Sequence, residues 1–282
     1  GEFTRRCRES VMRYIADWER MTQRMGFWVD MQAAYYTLDN DYIESVWHLL
    51  SVIWDKGLMY QGYKVVPYDP RIGATLSSHE VAQGYKEIVD PSVYVRFPIV
   101  GQAGTSFLVW TTTPWTLPSN LALAIAADVE YAYVRTGDET LVLATALIDA
   151  ALGDAPREIL HTVEGRELIG LRYQRPFEYL EVDASKAWRV HAAPFVTTED
   201  GTGIVHIAPA YGVDDLALGQ ALGLPVVHGV GLDGNFLPAV TPVAGMFFKD
   251  ADALLIEELK SNGALWRKQN YRHNYPHGWR TG

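Results

Sequence analysis

From Gly57 onward the sequence carries strand signals in short pieces, each cut off by Gly or Pro, and this limits the fold more than any other feature. Tyr63 to Pro67 reads as a short strand, and Val93, Val95, Phe97 and Ile99 alternate as a strand with one buried face. Further strands are expected at 105–111, 129–135 and 140–144, with Thr136-Gly137-Asp138 turning the last two into a hairpin. Others are expected at 158–163, 177–182, 188–196 and 202–208. Helices are read at 145–152, at 214–222 with Gly223 as its stop, and at 251–261 between an Asp250 cap and Gly263. Residues 271–280 are polar and aromatic without strong periodicity. Many short strands between turns suit a closed or strongly coiled sheet and argue against a doubly wound parallel one. The expected fold class is α+β: a β-barrel-like domain with peripheral helices, behind a helical N-terminal segment.

That N-terminal segment has another character. Val11, Ile15, Trp18, Met21 and Met25 recur at helical spacing over residues 4–25, and Gly26 supplies a stop. A second helix is read over 41–56, with Asp41 and Glu44 as a capping box and Ile43, Val46, Trp47, Leu50, Ile53 and Trp54 on its apolar face. Such faces are expected to pack in a core. A division at 62/63 separates the helical part from the strand-rich part. The chain opens on Gly1 in a charged helical pattern without an initiator Met, and is expected to be a piece of something longer.

A formal charge of −10 excludes a protein that coats duplex nucleic acid by counterion release, so any nucleic-acid partner must be gripped locally, for example at a single-stranded end. Cys7 is the one cysteine, which rules out an intramolecular disulfide or a cysteine metal cluster and fits a reducing, cytoplasmic setting. No apolar run approaches the ~20 residues of a membrane span.

Two stretches could hold chemistry. The first runs Trp110-Thr111-Thr112-Thr113-Pro114-Trp115-Thr116-Leu117-Pro118-Ser119-Asn120, a strand that empties into hydroxyls and is held extended by prolines. A pocket wall and a stiff corner both satisfy that composition. The second runs Asp200 to Asp215. Gly201 and Gly203 permit a tight turn or close backbone approach, His206 sits in the strand-like Ile204 to Ile207, and Asp214 and Asp215 open a helix. His206 fits a satisfied core histidine as well as a functional one. Neighbouring helix positions point about 100° apart, so one aspartate can face water while the other turns back toward the Gly-rich turn. The G-x-S-x-G elbow, the Walker loop, the dinucleotide fingerprint and H-E-x-x-H are all missing.

Together these stretches resemble the editing domain of the isoleucyl branch of the class I aminoacyl-tRNA synthetases. The resemblance rests on Trp-Thr-Thr-Thr-Pro-Trp-Thr-Leu-Pro-Ser-Asn at 110–120 and Gly-Thr-Gly-Ile-Val-His-x-Ala-Pro-Ala-Tyr-Gly at 201–212 with Asp215. Residues 62–68, 76–81 and 90–95 extend it over essentially the whole chain. Valyl and leucyl relatives carry an Arg after the threonine pair, where this chain has Thr113. The likeness implies an editing domain inserted into a Rossmann-type catalytic domain, with residues 1–62 derived from the latter. The His-x-Gly-His and Lys-Met-Ser-Lys-Ser motifs are absent, so ATP and Mg would serve only a full-length enzyme, and no ligase activity is expected here. Where the family often has Cys-x-x-Cys pairs, this chain reads Asp69-x-x-Ile72 and Gly278-x-x-Thr281. No zinc, and no other cofactor or metal, is therefore expected; His273, His277 and Asp69 are a poor substitute.

The resemblance also implies the reaction and its residues. One methylene is worth only about 1–3 kcal/mol in a hydrophobic pocket, for which isoleucine against valine is the usual illustration, so a second pocket must hydrolyse the wrong ester. The implied partners are the 3′ CCA end of tRNA(Ile) carrying valine and the remainder of the synthetase, with no membrane. Asp215 is expected to anchor the substrate ammonium, and His206 to line the pocket and exclude isoleucine. Thr112 and Thr113, with Thr111 and Thr116, would hold the terminal ribose and the attacking water. Trp110 and Gly203 complete the substrate-binding set. A binding-only module for a tRNA 3′ end and an inert structural insertion are the alternatives.

Overall fold

The computed structural model describes residues 1–183 and 185–281, which divide into two compact units, Gly1–Tyr63 and Lys64–Gly282. The first is helical: α1 (Glu2–Arg13), α2 (Ile15–Arg24) and α3 (Asn40–Asp55). The helix expected over 4–25 is broken at Tyr14, which caps both pieces. α3 starts after Asp39, so Asp41 and Glu44 fall inside the helix and the expected capping box does not form; Asp41 instead faces the positive end of the helix dipole. Neither α1, α2 nor α3 has a buried residue, and Val11, Trp18, Met21, Trp47 and Trp54 stay exposed. The expectation that these faces pack in a core is corrected: Met31, Ala34 and Tyr36 come beside Val11, Ile15 and Trp18, but no residue of the three helices is buried. No helix among the described residues is long and apolar enough to cross a membrane.

The second unit is built from strands. β1 (Tyr68–Asp69) and β2 (Ala74–Thr75) form a small ribbon followed by α4 (Ser78–Ala82). β3 (Tyr85–Pro98), β4 (Thr105–Thr111), β5 (Ala122–Ile125), β6 (Glu130–Thr136), β7 (Glu139–Ala144), α5 (Ile148–Leu152), β8 (Glu158–Glu164) and α6 (Gly165–Leu168) follow. The chain continues through β9 (Arg189–Ala192), β10 (Ile204–Ile207), α7 (Val213–Leu222), α8 (Phe248–Ser261) and β11 (Leu265–Pro276).

Six strands form one sheet in the order β11-β3-β4-β7-β6-β8, parallel only between β4 and β7; three form a second, β10-β5-β9. The α+β class is as expected, but the ladders do not close into a barrel: β11 and β8 stand at opposite ends of the large sheet. Alternation along β3 explains the layering. Val93, Val95 and Phe97 enter the main core with Leu123 and Ile125 of the small sheet and Leu255 and Leu259 of α8. Tyr94, between them, points to the other face, where Leu108 and Leu141 pack with Ile148 and Leu152 of α5.

Several expected elements shift. Residues 63–67 are not a strand; pairing begins at Tyr68. Residues 177–182 join no ladder, although Phe177 and Leu180 plug the core. α8 begins at Phe248, which places Asp250 in its first turn and not at its cap. Residues 271–276, read as aperiodic, belong to β11, which runs antiparallel to β3 from Pro276 opposite Tyr85 to Arg267 opposite Tyr94.

Candidate functional site

β4 delivers the threonines. It ends at Thr111, and the chain then tightens into a 3-10 helix over Pro114–Ser119, with Pro114 at its start where a missing N–H costs nothing. The Thr111 hydroxyl lies 3.2 Å from that of Thr113 and accepts the Thr113 N–H at 3.1 Å. Thr113 and Thr116 hydroxyls are 3.2 Å apart, and Thr116 donates to the Thr113 carbonyl at 2.9 Å. Three of the four expected threonines are thus joined into one chain of hydroxyls. Thr112 alternates to the other face of the strand end and is half-buried.

β10 pairs antiparallel with β5, and this register brings His206 to the same place. Its Nε2 is 2.9 Å from Thr116 Oγ1, and its Nδ1 is 2.9 Å from Asn120 Nδ2. The surrounding network assigns the proton of the ring. Tyr173 donates to Asn120 Oδ1 at 2.7 Å, so the amide nitrogen faces the ring and can only donate. Nδ1 therefore accepts, Nε2 carries the proton and donates to Thr116, and the imidazole is neutral. Burial holds its pKa down at about 4. The same burial pushes the Tyr173 phenol well above its usual range. Asn120 also donates to the Ala122 carbonyl at 3.0 Å, and its own carbonyl accepts the Trp188 indole N–H at 3.1 Å. Trp188 holds a left-handed backbone at φ 57° to make that contact, a conformation bulky residues adopt only when their surroundings impose it.

Asp215 stands apart from this network. It lies in the first turn of α7, and its Oδ2 accepts the Ala208 N–H at 2.8 Å. The carboxylate folds back over Gly212, where an added Cβ would come within 2.8 Å of its Cγ. Burial raises its pKa to about 6, with Asp214 adding to the rise and the Ala208 N–H opposing it. Asp214 is exposed. The turn between them is tied to the threonine segment by aromatic contact: Tyr211 meets Trp115 edge-on at 4.9 Å, and its hydroxyl accepts the Gly229 and Val230 N–H groups.

Gly203 and Trp110 have other neighbours. Gly203 is buried at φ +72°, a Cβ there would come within 2.5 Å of the Ala144 Cβ, and its carbonyl accepts the Tyr131 hydroxyl at 2.6 Å. Trp110 packs edge-on to Tyr271 at 5.1 Å, with Gly201 against its ring and its indole N–H buried without a partner among the described residues. Sequence reasoning passed over Asn120, Tyr173 and Trp188. Asn120 closes the threonine motif, and a polar amide entering the apolar run at Leu121 was its one visible signal.

A family model described as tRNA synthetases class I (I, L, M and V) matches residues 1–213. The chain belongs to this family. Within the class I synthetases it is similar to the isoleucine–tRNA ligase of Thermobifida fusca, 51% identical over 285 residues that cover 99% of this chain and 27% of the relative. It is also similar to that of Thermus thermophilus, 46% identical over 284 residues with the same coverage. The chain spans 27% of the length of these curated relatives. Among solved structures, that of GlLeuRS-CP1 shares the fold, with a TM-score of 0.50 and 12% identity over 63% of this chain and 99% of that one.

The Asp69-x-x-Ile72 and Gly278-x-x-Thr281 positions do not fit zinc. Asp69 is occupied by the Thr281 hydroxyl at 2.6 Å and the Arg71 N–H at 2.9 Å. His273 turns to Asp90 and His277 to the Tyr275 carbonyl. No three His, Cys, Asp or Glu side chains converge as a metal site among the described residues.

Proposed function

We propose that residues 64–282 act as a hydrolytic editing module of a class I synthetase, removing valine from mischarged tRNA(Ile). The observation that carries this reading is the half-buried Asp215, poised near neutrality at the start of α7 and joined through the 208–212 turn to a segment dense in hydroxyls. A carboxylate whose charge is disfavoured by burial regains it when an ammonium arrives, so Asp215 is suited to the α-ammonium of an aminoacyl ester. Thr112 and Thr113 take the ribose and the attacking water, Thr111 and Thr116 fix their neighbours, and Trp110 and Gly203 shape the wall behind them. His206 has both nitrogens engaged, so it acts as a positioning residue through Thr116.

The chemistry needs no covalent intermediate. Water adds to the ester carbonyl, the bond to the ribose oxygen breaks, and that oxygen takes up a proton, leaving free valine and an uncharged tRNA 3′ end. The partners in this reading are the charged CCA end and the remainder of a synthetase, which would supply ligation, ATP and Mg, in the cytoplasm. The test is deacylation of Val-tRNA(Ile) by this chain and by Asp215→Ala. Equal rates would sink the assignment. One observation favours a binding-only module instead: the Thr111, Thr113, Thr116, His206 and Asn120 side chains are already partnered with one another. That reading requires CCA-end binding with no release of valine.

A further inference from the structure

We propose that Asp252 is a positioning residue of this site, a buried carboxyl that packs beneath the 3-10 segment and fixes where the threonines stand. Its effect on rate rests on the hydrolytic reading above. α8 lies against the 3-10 segment, with the Phe248 ring 4.7 Å from that of Trp115. One turn later Asp252 projects from the buried face of α8 with Ala251, Leu255 and Ile256, and only 5% of it is exposed. The Trp115 backbone N–H faces it, while its Oδ1 has no hydrogen-bond partner among the described residues.

Burial and the charges around it shift the carboxyl toward its protonated form. Asp90 of β3 takes Lys249 at 2.5 Å and His273 at 3.2 Å, and Lys249 also lies 4.4 Å from the centre of the Tyr275 ring. One ammonium thus stands between two carboxylates and is committed to Asp90. Burial raises the Asp252 pKa to about 7; Asp90 adds to this, and Lys249, the Trp115 N–H and Lys268 oppose it. The titratable groups facing it are Asp90, Lys249, Lys268 and Tyr275, with His273 on the far partner Asp90; the 3-10 segments Pro114–Ser119 and Thr241–Val243 bring none. A neutral hydroxyl without a partner is tolerable in such a place, whereas an unpaired anion is not.

Asp252→Asn copies the neutral state and Asp252→Ala removes the prop. We expect the Asn variant to hydrolyse Val-tRNA(Ile) at the wild-type rate, and the Ala variant to lose about 10-fold or more through displacement of the threonines. The wild type should also lose stability relative to Asp252→Asn as pH rises from about 4 to 8. An acid whose pKa is raised on folding stabilises the fold below its unfolded pKa and stops doing so as pH passes the folded value. An Asn variant as slow as Ala, or an Ala variant as fast as wild type, overturns the proposal. Where Ala does not fold, parallel unfolding profiles for wild type and Asn overturn it. If the wild type leaves Val-tRNA(Ile) intact, the hydrolytic reading fails, and the pair of unfolding profiles still decides whether Asp252 is neutral.

Discussion

His206 and Asp215 lie nine positions apart in the sequence and meet the same problem, burial of an ionisable group, in opposite ways. His206 is discharged and saturated: Asn120 and Thr116 take both nitrogens, and Tyr173 fixes the amide that fixes the ring. Asp215 keeps one firm bond, from the Ala208 N–H, and is left close to its titration point. On the proposed function, the difference separates scaffold from chemistry. A network with every donor and acceptor paired specifies a shape, while a carboxyl that burial has left under-satisfied gains by meeting a cation.

The contrast can be broken in descending order of effect. Asp215→Ala should lower Val-tRNA(Ile) deacylation about 100-fold or more while leaving thermal stability at neutral pH unchanged or higher, because a disfavoured anion is gone. Asp215→Asn, which can still accept the Ala208 N–H, should lose the same activity, measured by release of labelled valine. His206→Leu should behave in the reverse sense. It strands Asn120 and Thr116, costing about 3 kcal/mol in urea unfolding, and any loss of rate should follow from that. Filling the strand end with Thr112→Leu should slow deacylation about 10-fold with no change in stability, since Thr112 stands outside the hydroxyl chain.

The smallest effect is the sharpest in sign. The His206 pKa is lowered on folding to about 4, so its contribution is present above the ordinary histidine range and lost as pH falls toward 4. The Asp215 pKa is raised to about 6, so its contribution is present below the ordinary aspartate range and lost as pH rises toward 6. Unfolding titrations should therefore show an acid-side loss that disappears in His206→Leu and a loss toward pH 6 that disappears in Asp215→Asn. Slopes that do not change with these substitutions would show that the two groups are not buried as described.

Legibility followed physical range. The β6–β7 hairpin, β4 and the Gly223 stop of α7 are written in local signals: alternation, a Gly at positive φ, and a helix end. β11 was missed because its period of two is carried by Tyr271, His273 and Tyr275, aromatic and titratable residues that do not contrast in hydropathy with their neighbours. Phe177 and Leu180 looked like a strand because apolar residues inserted into a core alternate much as strand residues do. In the site, Thr111 to Thr116 announced themselves. Asn120 did not, since the partners that give it a role, Tyr173 and His206, are 53 and 86 residues away. A hub made of distant contacts leaves no mark in its own window of sequence.

The pairing of β3 with β11 has a consequence during synthesis. β3 is complete long before its outer partner exists, because Leu265 follows Pro98 only after every other strand of the sheet has been made. At ordinary rates of translation that interval is on the order of ten seconds, with one edge of the large sheet open throughout. Pro98 falls on β3 two positions beyond Arg96, whose N–H faces that edge, and proline there cannot donate to an intruding strand. The waiting edge carries its own protection against mispairing until the chain returns to close it.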